Sequence, residues 1–185
     1  MDIDSTIWDV ESMVREAVLR VTGDILDVES ISAWVHLLDA YGEETTTRIY
    51  DRALAPERIL ERELYPGVRE TIRSLQREHD IAIHFVTRHP FPDDIAPHLR
   101  PWLRENFGPE AELTVTPEDK LGVLRDLNAF GMIDDRSDTL ARVADAGLWA
   151  AAKVQPWNRV FLDGRPDIFR FTDWREVPEM LPDAL

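Results

Sequence analysis

Four short stretches carry residues able to do chemistry together. Asp2 and Asp4 flank Ile3 near the amino terminus and are followed by Ser5-Thr6. Thr87 closes an apolar run, Lys120 is one of only two lysines beside 19 arginines, and Asp134 and Asp135 are adjacent. Clustered carboxylates repel one another and desolvate poorly, so they share a site only when a cation or a shared proton compensates them. Hard carboxylate oxygens favour Mg²⁺, which takes few protein ligands and keeps waters and a substrate phosphate in its octahedron. A carboxylate can attack phosphorus to give an aspartyl-phosphate. A second carboxyl two residues on can protonate the leaving oxygen and then activate water. A hydroxyl and an ammonium, such as Thr87 and Lys120, suit the transferring phosphoryl oxygens.

Such residues act together only if the fold brings them to one place. From Asp9 to Leu64 the pattern is helical. Val10, Met13, Val14, Ala17, Val18 and Val21 recur at helical spacing up to Gly23; Ile31, Trp34, Val35 and Leu38 mark a second helix; Ile49, Tyr50, Ala53 and Leu54 mark a third; and Pro56 opens a fourth through Ile59, Leu60 and Leu64. After Tyr65-Pro66-Gly67, strands alternate with helices. The expected strands are Ile81 to Thr87, Leu113 to Thr116, the FGMI stretch ending at Asp134, and LWAAAKV, with a short closing helix in FTDWREVPEML. This alternation predicts an α/β fold with a Rossmann-like parallel sheet and helices on both faces. In such a sheet ligands bind outside the carboxyl ends of the strands. Asp2 and Asp4, Thr87, Lys120, and Asp134 with Asp135 all fall at that edge.

Composition bounds the reading. A chain of 185 residues, 44% apolar, is the size of one domain or one domain with an insertion. With no Cys there is no disulfide scaffold, zinc-thiolate site or Cys nucleophile. A formal charge of −15 without a basic cluster argues against a polymeric nucleic-acid partner. No run suits a membrane span, and an acidic amino terminus does not suit a signal peptide, so a cytoplasmic protein is expected.

In order and spacing, Asp2-Ile3-Asp4-Ser5-Thr6, the strand ending in Thr87, Lys120 and Asp134-Asp135 resemble the four motifs of the haloacid dehalogenase (HAD) superfamily. The resemblance implies a HAD-like α/β core over residues 1–8 and 65–185, with residues 9–64 as an inserted all-helical cap of the C1 type. It implies Asp2 as nucleophile, Asp4 as general acid/base, and Thr87 and Lys120 as phosphate ligands. It implies Mg²⁺ held by the Asp2 carboxylate, the Asp4 carbonyl and the Asp134 carboxylate, with Asp135 acting directly or through water. An acid two residues after the nucleophile implies a phosphatase or phosphotransferase rather than a dehalogenase. Asp134-Asp135-Arg136, Trp157-Asn158 and Asp173-Trp174 look most like small 5′-nucleotidase-type and phage-borne members. A nucleoside monophosphate is then the expected small phosphorylated substrate, with Tyr41, Trp34 or Tyr50 stacking on its base and Arg88 and His89 lining the entrance. Superfamily members carry an apolar run ahead of the first aspartate. Here Met1 to Asp4 are expected to form a stunted strand, and the natural product to begin upstream.

Each residue also has a plain structural reading. Thr87 suits a turn, Asp134-Asp135 before Arg136 suits a helix cap with an ion pair, Asp2 and Asp4 suit a solvated terminus, and Trp34 suits a helix stripe. His84, His89 and His98 have no zinc spacing. The rival to a phosphomonoesterase is a catalytically weak or inactive relative that binds a phosphorylated ligand or a protein partner.

Overall fold

The computed structural model describes residues 1–31, 36–55, 58, 62–89 and 92–182. After Asp9, whose side chain accepts from Ser12 N, helix α1 runs Val10–Thr22 with Val10, Met13, Val14, Ala17 and Val18 buried. A 3-10 turn at Val28–Ser30 leads to α2, His36–Ala53. The second and third helices expected from the sequence meet here as one element, broken only at Gly42, whose φ of 73° and ψ of 170° are not helical. Trp34, Val35, Ile59 and Leu60 of the expected helices lie outside the described residues. Leu64 is not helical. It forms an antiparallel bridge to Trp8, flanked by Tyr65 N to Ile7 O at 2.9 Å and Asp9 N to Glu63 O at 3.3 Å.

The remainder alternates as α3 Val68–Glu78, β1 His84–Arg88, α4 Pro92–Phe107, β2 Glu112–Thr116, α5 Lys120–Asp126, β3 Gly131–Asp134, α6 Ser137–Asp145, β4 Trp149–Lys153, α7 Arg159–Asp163 and β5 Phe169–Phe171, with a 3-10 helix at Trp174–Met180. Ile81 to Ile83, expected within the first long strand, precede the β1–β2 ladder, which begins at His84↔Glu112. The three-residue β5 was not anticipated, and the closing helix is 3-10, with Pro178 inside it.

All strand pairs are parallel: β1 with β2, and β3 with β4 and β5. Met1 and Asp2 join the two groups. The Met1 ammonium donates to His84 O and Val86 N donates to Met1 O, both at 2.8 Å, while Asp2 N donates to Ile133 O at 2.9 Å. Residues 1–4 do not form a ladder strand of their own. Alternate strand residues enter two cores. Phe85, Ile133 and Ala151 pack on one face, with residues of α1, α3, α4 and the closing helix; Val86, Met132, Ala150 and Ala152 pack on the other, with Leu124, Leu140, Val143 and Leu162. Helices therefore cover both faces, as expected. Among the described residues, no helix is long and apolar enough to cross a membrane.

Gly131 permits the close approach of β3 to β4. A Cβ there would lie 2.4 Å from Trp149 O and 2.8 Å from Trp149 Cβ. Because backbone cannot yield as a flexible side-chain end can, Gly131→Ala is expected to destabilise by about 1–3 kcal/mol. An unchanged urea midpoint would show that β3 shifts without penalty.

Candidate active site

The carboxyl edge of the sheet gathers the segments that carry reactive side chains. Asp2 leaves the Met1 junction, Thr87 is the next-to-last residue of β1, Lys120 opens α5, and Asp134 ends β3. Asp2, Thr87, Lys120, Asp134 and Asp135 are all buried.

Lys120 is the hinge of the arrangement. Its Nζ donates to Asp2 Oδ1 and, at 2.8 Å, to Asp134 Oδ2. Burial alone would depress this ammonium, but Asp134 and Asp2 hold its pKa above the usual range. Thr6 Oγ1 lies 3.2 Å from Asp2 Oδ2 and 3.3 Å from Asp135 Oδ1, between two carboxylates. Burial raises Asp134 to about 6, with Lys120 opposing and Asp2 reinforcing the rise. Asp135 goes well above the ordinary carboxylate range through burial and the charges of Asp134 and Asp2.

The ligand oxygens of Asp2, Asp134 and Asp135 lie within 4.8 Å of one another. Three buried hard donors set against one ammonium fit a divalent cation of the Mg²⁺ type. The Asp4 carboxylate is held apart from this trio. Its Oδ1 accepts from Trp8 Nε1 at 2.8 Å and lies 3.6 Å from Arg62 Nη1, and its Oδ2 lies 3.4 Å from Thr87 Oγ1.

The helix-cap reading of Asp134 and Asp135 does not hold, since Arg136 takes the N-cap position of α6 with no side-chain cap bond. Asp134 Oδ1 accepts from Arg136 N at 2.8 Å, and Arg136 pairs with Asp138. One carboxylate thus turns the chain with one oxygen and faces Lys120 with the other.

Several contributors had no clear sequence signal. Arg62 is buried, its guanidinium lies 3.6 Å from the centroid of the Trp8 ring, and burial lowers its pKa to about 10. Thr6 could have been suspected from its place just after Asp4. The Trp157-Asn158 signature has a physical role: Trp157 Nε1 donates to Asp135 Oδ2 at 2.9 Å, and Asn158 Nδ2 donates to Asp135 O at 2.8 Å. Behind them, Gln155 Nε2 donates to Ser5 O at 2.7 Å and Trp174 Nε1 to Thr6 O at 3.1 Å.

Tyr41 is not brought to the cluster. It lies beside Asp24 and Thr22 at the carboxyl end of α1, about 18 Å along the helix from the end nearest Asp4. Trp34 lies outside the described residues, and Tyr50 is half-buried against the main core. Arg88 is exposed, with Nη1 4.0 Å from Asp138 Oδ2, and His89 N donates to Thr116 O at 2.9 Å. The second lysine, Lys153, donates to Thr172 O at 2.9 Å, and its ammonium lies 5.0 Å from the centroid of the Tyr65 ring.

Glu11 offers a separate test of the surroundings. Its Oε2 accepts from Tyr65 Oη at 2.8 Å, and burial, aided by Asp9, raises its pKa from 4.5 to about 7. Between those values the folded state binds the extra proton. Stability is therefore full below about pH 4.5, falls as pH rises through about 7, and stays lower above. The loss is bounded at about 3 kcal/mol. Glu11→Gln should flatten this decline and gain stability at pH 8 with little change at pH 4, as read by urea unfolding. An unaltered pH profile would place the titration elsewhere.

No family model and no curated protein matches the chain. Among solved structures, a haloacid dehalogenase-like family hydrolase from Xanthomonas campestris superposes with a TM-score of 0.59 at 19% identity, covering 96% of this chain and 91% of that one. The likeness spans both the helical stretch before Leu64 and the α/β remainder, and with the parallel sheet and its two helical faces it shows that the chain takes a HAD-like α/β fold.

Proposed function

We propose that the protein is a Mg²⁺-dependent phosphomonoesterase working through an aspartyl-phosphate. The observation that carries this reading is Lys120 bridging Asp2 and Asp134 at the sheet edge, with Thr87 and Asp4 paired beside them. Asp2 attacks the phosphorus of the ester, and the bond to the leaving oxygen breaks as that oxygen takes a proton from the Asp4 carboxyl. Asp4, now a carboxylate, takes a proton from water, which attacks the same phosphorus and releases phosphate and the Asp2 carboxylate. Lys120 and Thr87 hold phosphoryl oxygens through both steps, while Trp8 and Thr87 fix the direction of Asp4.

Mg²⁺, held by the carboxylates of Asp2 and Asp134, the Asp4 carbonyl and Asp135, would supply charge neutralisation that one ammonium cannot. Residues 9–64 act as the helical cap over the core of 1–8 and 65–185. Because the central side chains are buried, substrate entry requires this cap to open. A nucleoside 5′-monophosphate in the cytoplasm is the substrate we propose, on the sequence signatures around Asp134, Trp157 and Asp173.

The test is phosphate release from nucleoside monophosphates, sugar phosphates and an aryl phosphate, with Mg²⁺ or with EDTA. Release that EDTA abolishes and Mg²⁺ restores is expected, with the nucleotides turned over fastest. Equal release in EDTA would sink the metal-dependent mechanism.

A further inference from the structure

Arg62 is a buried cation to which the proposed reaction gives no part. It stands just ahead of the pairing of Glu63 and Tyr65 with Asp9 and Ile7, two positions before Leu64, which bridges Trp8. Side chains two apart on an extended chain share a face, so Arg62 is the diagonal neighbour of Trp8. Its guanidinium accordingly lies 3.6 Å from the centroid of the Trp8 ring, a stacked placement that suits a planar cation better than an ammonium.

The ion pair that Arg62 makes is incomplete. Only 2% of its side chain is exposed, yet Nη1 stops 3.6 Å from Asp4 Oδ1, beyond hydrogen-bond length. Its Nε is buried with no hydrogen-bond partner among the described residues. An arginine kept only to fasten two segments would have its donors satisfied, because a buried unbonded donor destabilises the fold. This one instead places its charge beside one oxygen of Asp4.

The two oxygens of that carboxyl meet different chemistry. Oδ1 accepts from Trp8 Nε1 at 2.8 Å and has the guanidinium at 3.6 Å. Indole and guanidinium nitrogens donate and cannot accept, so a hydrogen on Oδ1 would have no acceptor there and would displace the Trp8 bond. Oδ2 has Thr87 Oγ1 at 3.4 Å, a hydroxyl whose hydrogen rotates and whose lone pairs can accept. The Asp4 side chain is 34% exposed, so an ester oxygen can reach it.

We propose that Arg62 is a positioning residue for Asp4: with Trp8 it keeps Oδ1 free of hydrogen, so that Asp4 carries its acid proton on Oδ2, the oxygen on the side of Thr87. This rests on the phosphomonoesterase reading. In the first step the Oδ2–H bond breaks and the proton passes to the leaving oxygen. The electron pair left behind spreads over a carboxylate whose Oδ1 faces a fixed cation. In the second step Oδ2 takes a proton from the water that attacks phosphorus. Arg62 exchanges no proton in either step, because a guanidinium keeps its charge.

The test uses Arg62→Met, which keeps the stem and removes the charge, and Arg62→Lys, which keeps the charge without the plane. Each is assayed with Mg²⁺ on para-nitrophenyl phosphate, whose leaving oxygen needs no proton, and on an alkyl phosphate, whose leaving oxygen does. Arg62→Met should lower kcat/KM for the alkyl ester by about a hundredfold and for the aryl ester by about threefold or less. The aryl ester should then release nitrophenolate in a burst, since the second step still needs Oδ2. Arg62→Lys should recover about tenfold of the alkyl loss. Trp8→Phe, which removes the other donor at Oδ1 and keeps a ring, should show the same selectivity, so the outcome does not depend on Arg62→Met folding. Equal losses on both esters, or no loss on either, in folded variants of an active wild type would overturn the assignment alone. A folded wild type active on neither ester would overturn the phosphomonoesterase reading and the assignment with it.

Discussion

Asp2→Asn should leave the protein folded and stop phosphate release, by at least about four orders of magnitude in kcat. The side chain keeps its shape, and its amide oxygen can still accept from Lys120. What it loses is the electron pair that forms the bond to phosphorus. A general electrostatic contribution from Asp2 predicts a smaller loss, because Asp134 and Asp135 keep the local field negative. The variant therefore separates a nucleophile from a bystander. Substantial turnover by Asp2→Asn would remove the covalent mechanism. A folded wild type inert toward every phosphate ester would leave the binding relative as the reading, with the same cluster holding a phosphorylated ligand.

Lys120→Met should be the most damaging single change to stability. The ammonium is 98% buried and lies between two buried carboxylates. Removing it leaves like charges facing one another with only Thr6 between Asp2 and Asp135. Breaking a buried ion pair from one side costs about 3–5 kcal/mol, more than truncating an exposed pair. Urea unfolding in EDTA would measure the loss, and millimolar Mg²⁺ should recover part of it if a cation takes over the neutralisation. An unchanged midpoint would mean that the carboxylates protonate at no penalty and that Lys120 is not their keystone.

The sheet and its edge were legible because both rest on local rules. Runs such as LWAAAKV declare a strand buried on two faces, and Gly23 and Gly147 mark the ends of α1 and α6. Asp2, Thr87, Lys120 and Asp134 followed from one topological rule applied to those strands. The miss at Leu64 has a different origin. Its helical spacing is real, but tertiary pairing with Trp8 decides its conformation, and periodicity cannot register a partner more than 50 residues away. Tyr41 was expected to stack on a substrate base, while its position beside Asp24 and Thr22 depends on how α2 lies on α1. Arg62 was invisible because an arginine among 19 has no distinguishing neighbour, and its stacking on Trp8 exists only in three dimensions.

The pairing of Ile7 to Asp9 with Glu63 to Tyr65 brings the two ends of the intervening helical stretch together at one bridge. Closing a loop costs free energy that grows only with the logarithm of its length, roughly 0.6 kcal/mol per doubling. With its exit and return clamped side by side, this stretch can lengthen, shorten or be exchanged for another without altering the geometry of the sheet. On the proposed reading of residues 9–64 as a cap, that junction is a natural graft point.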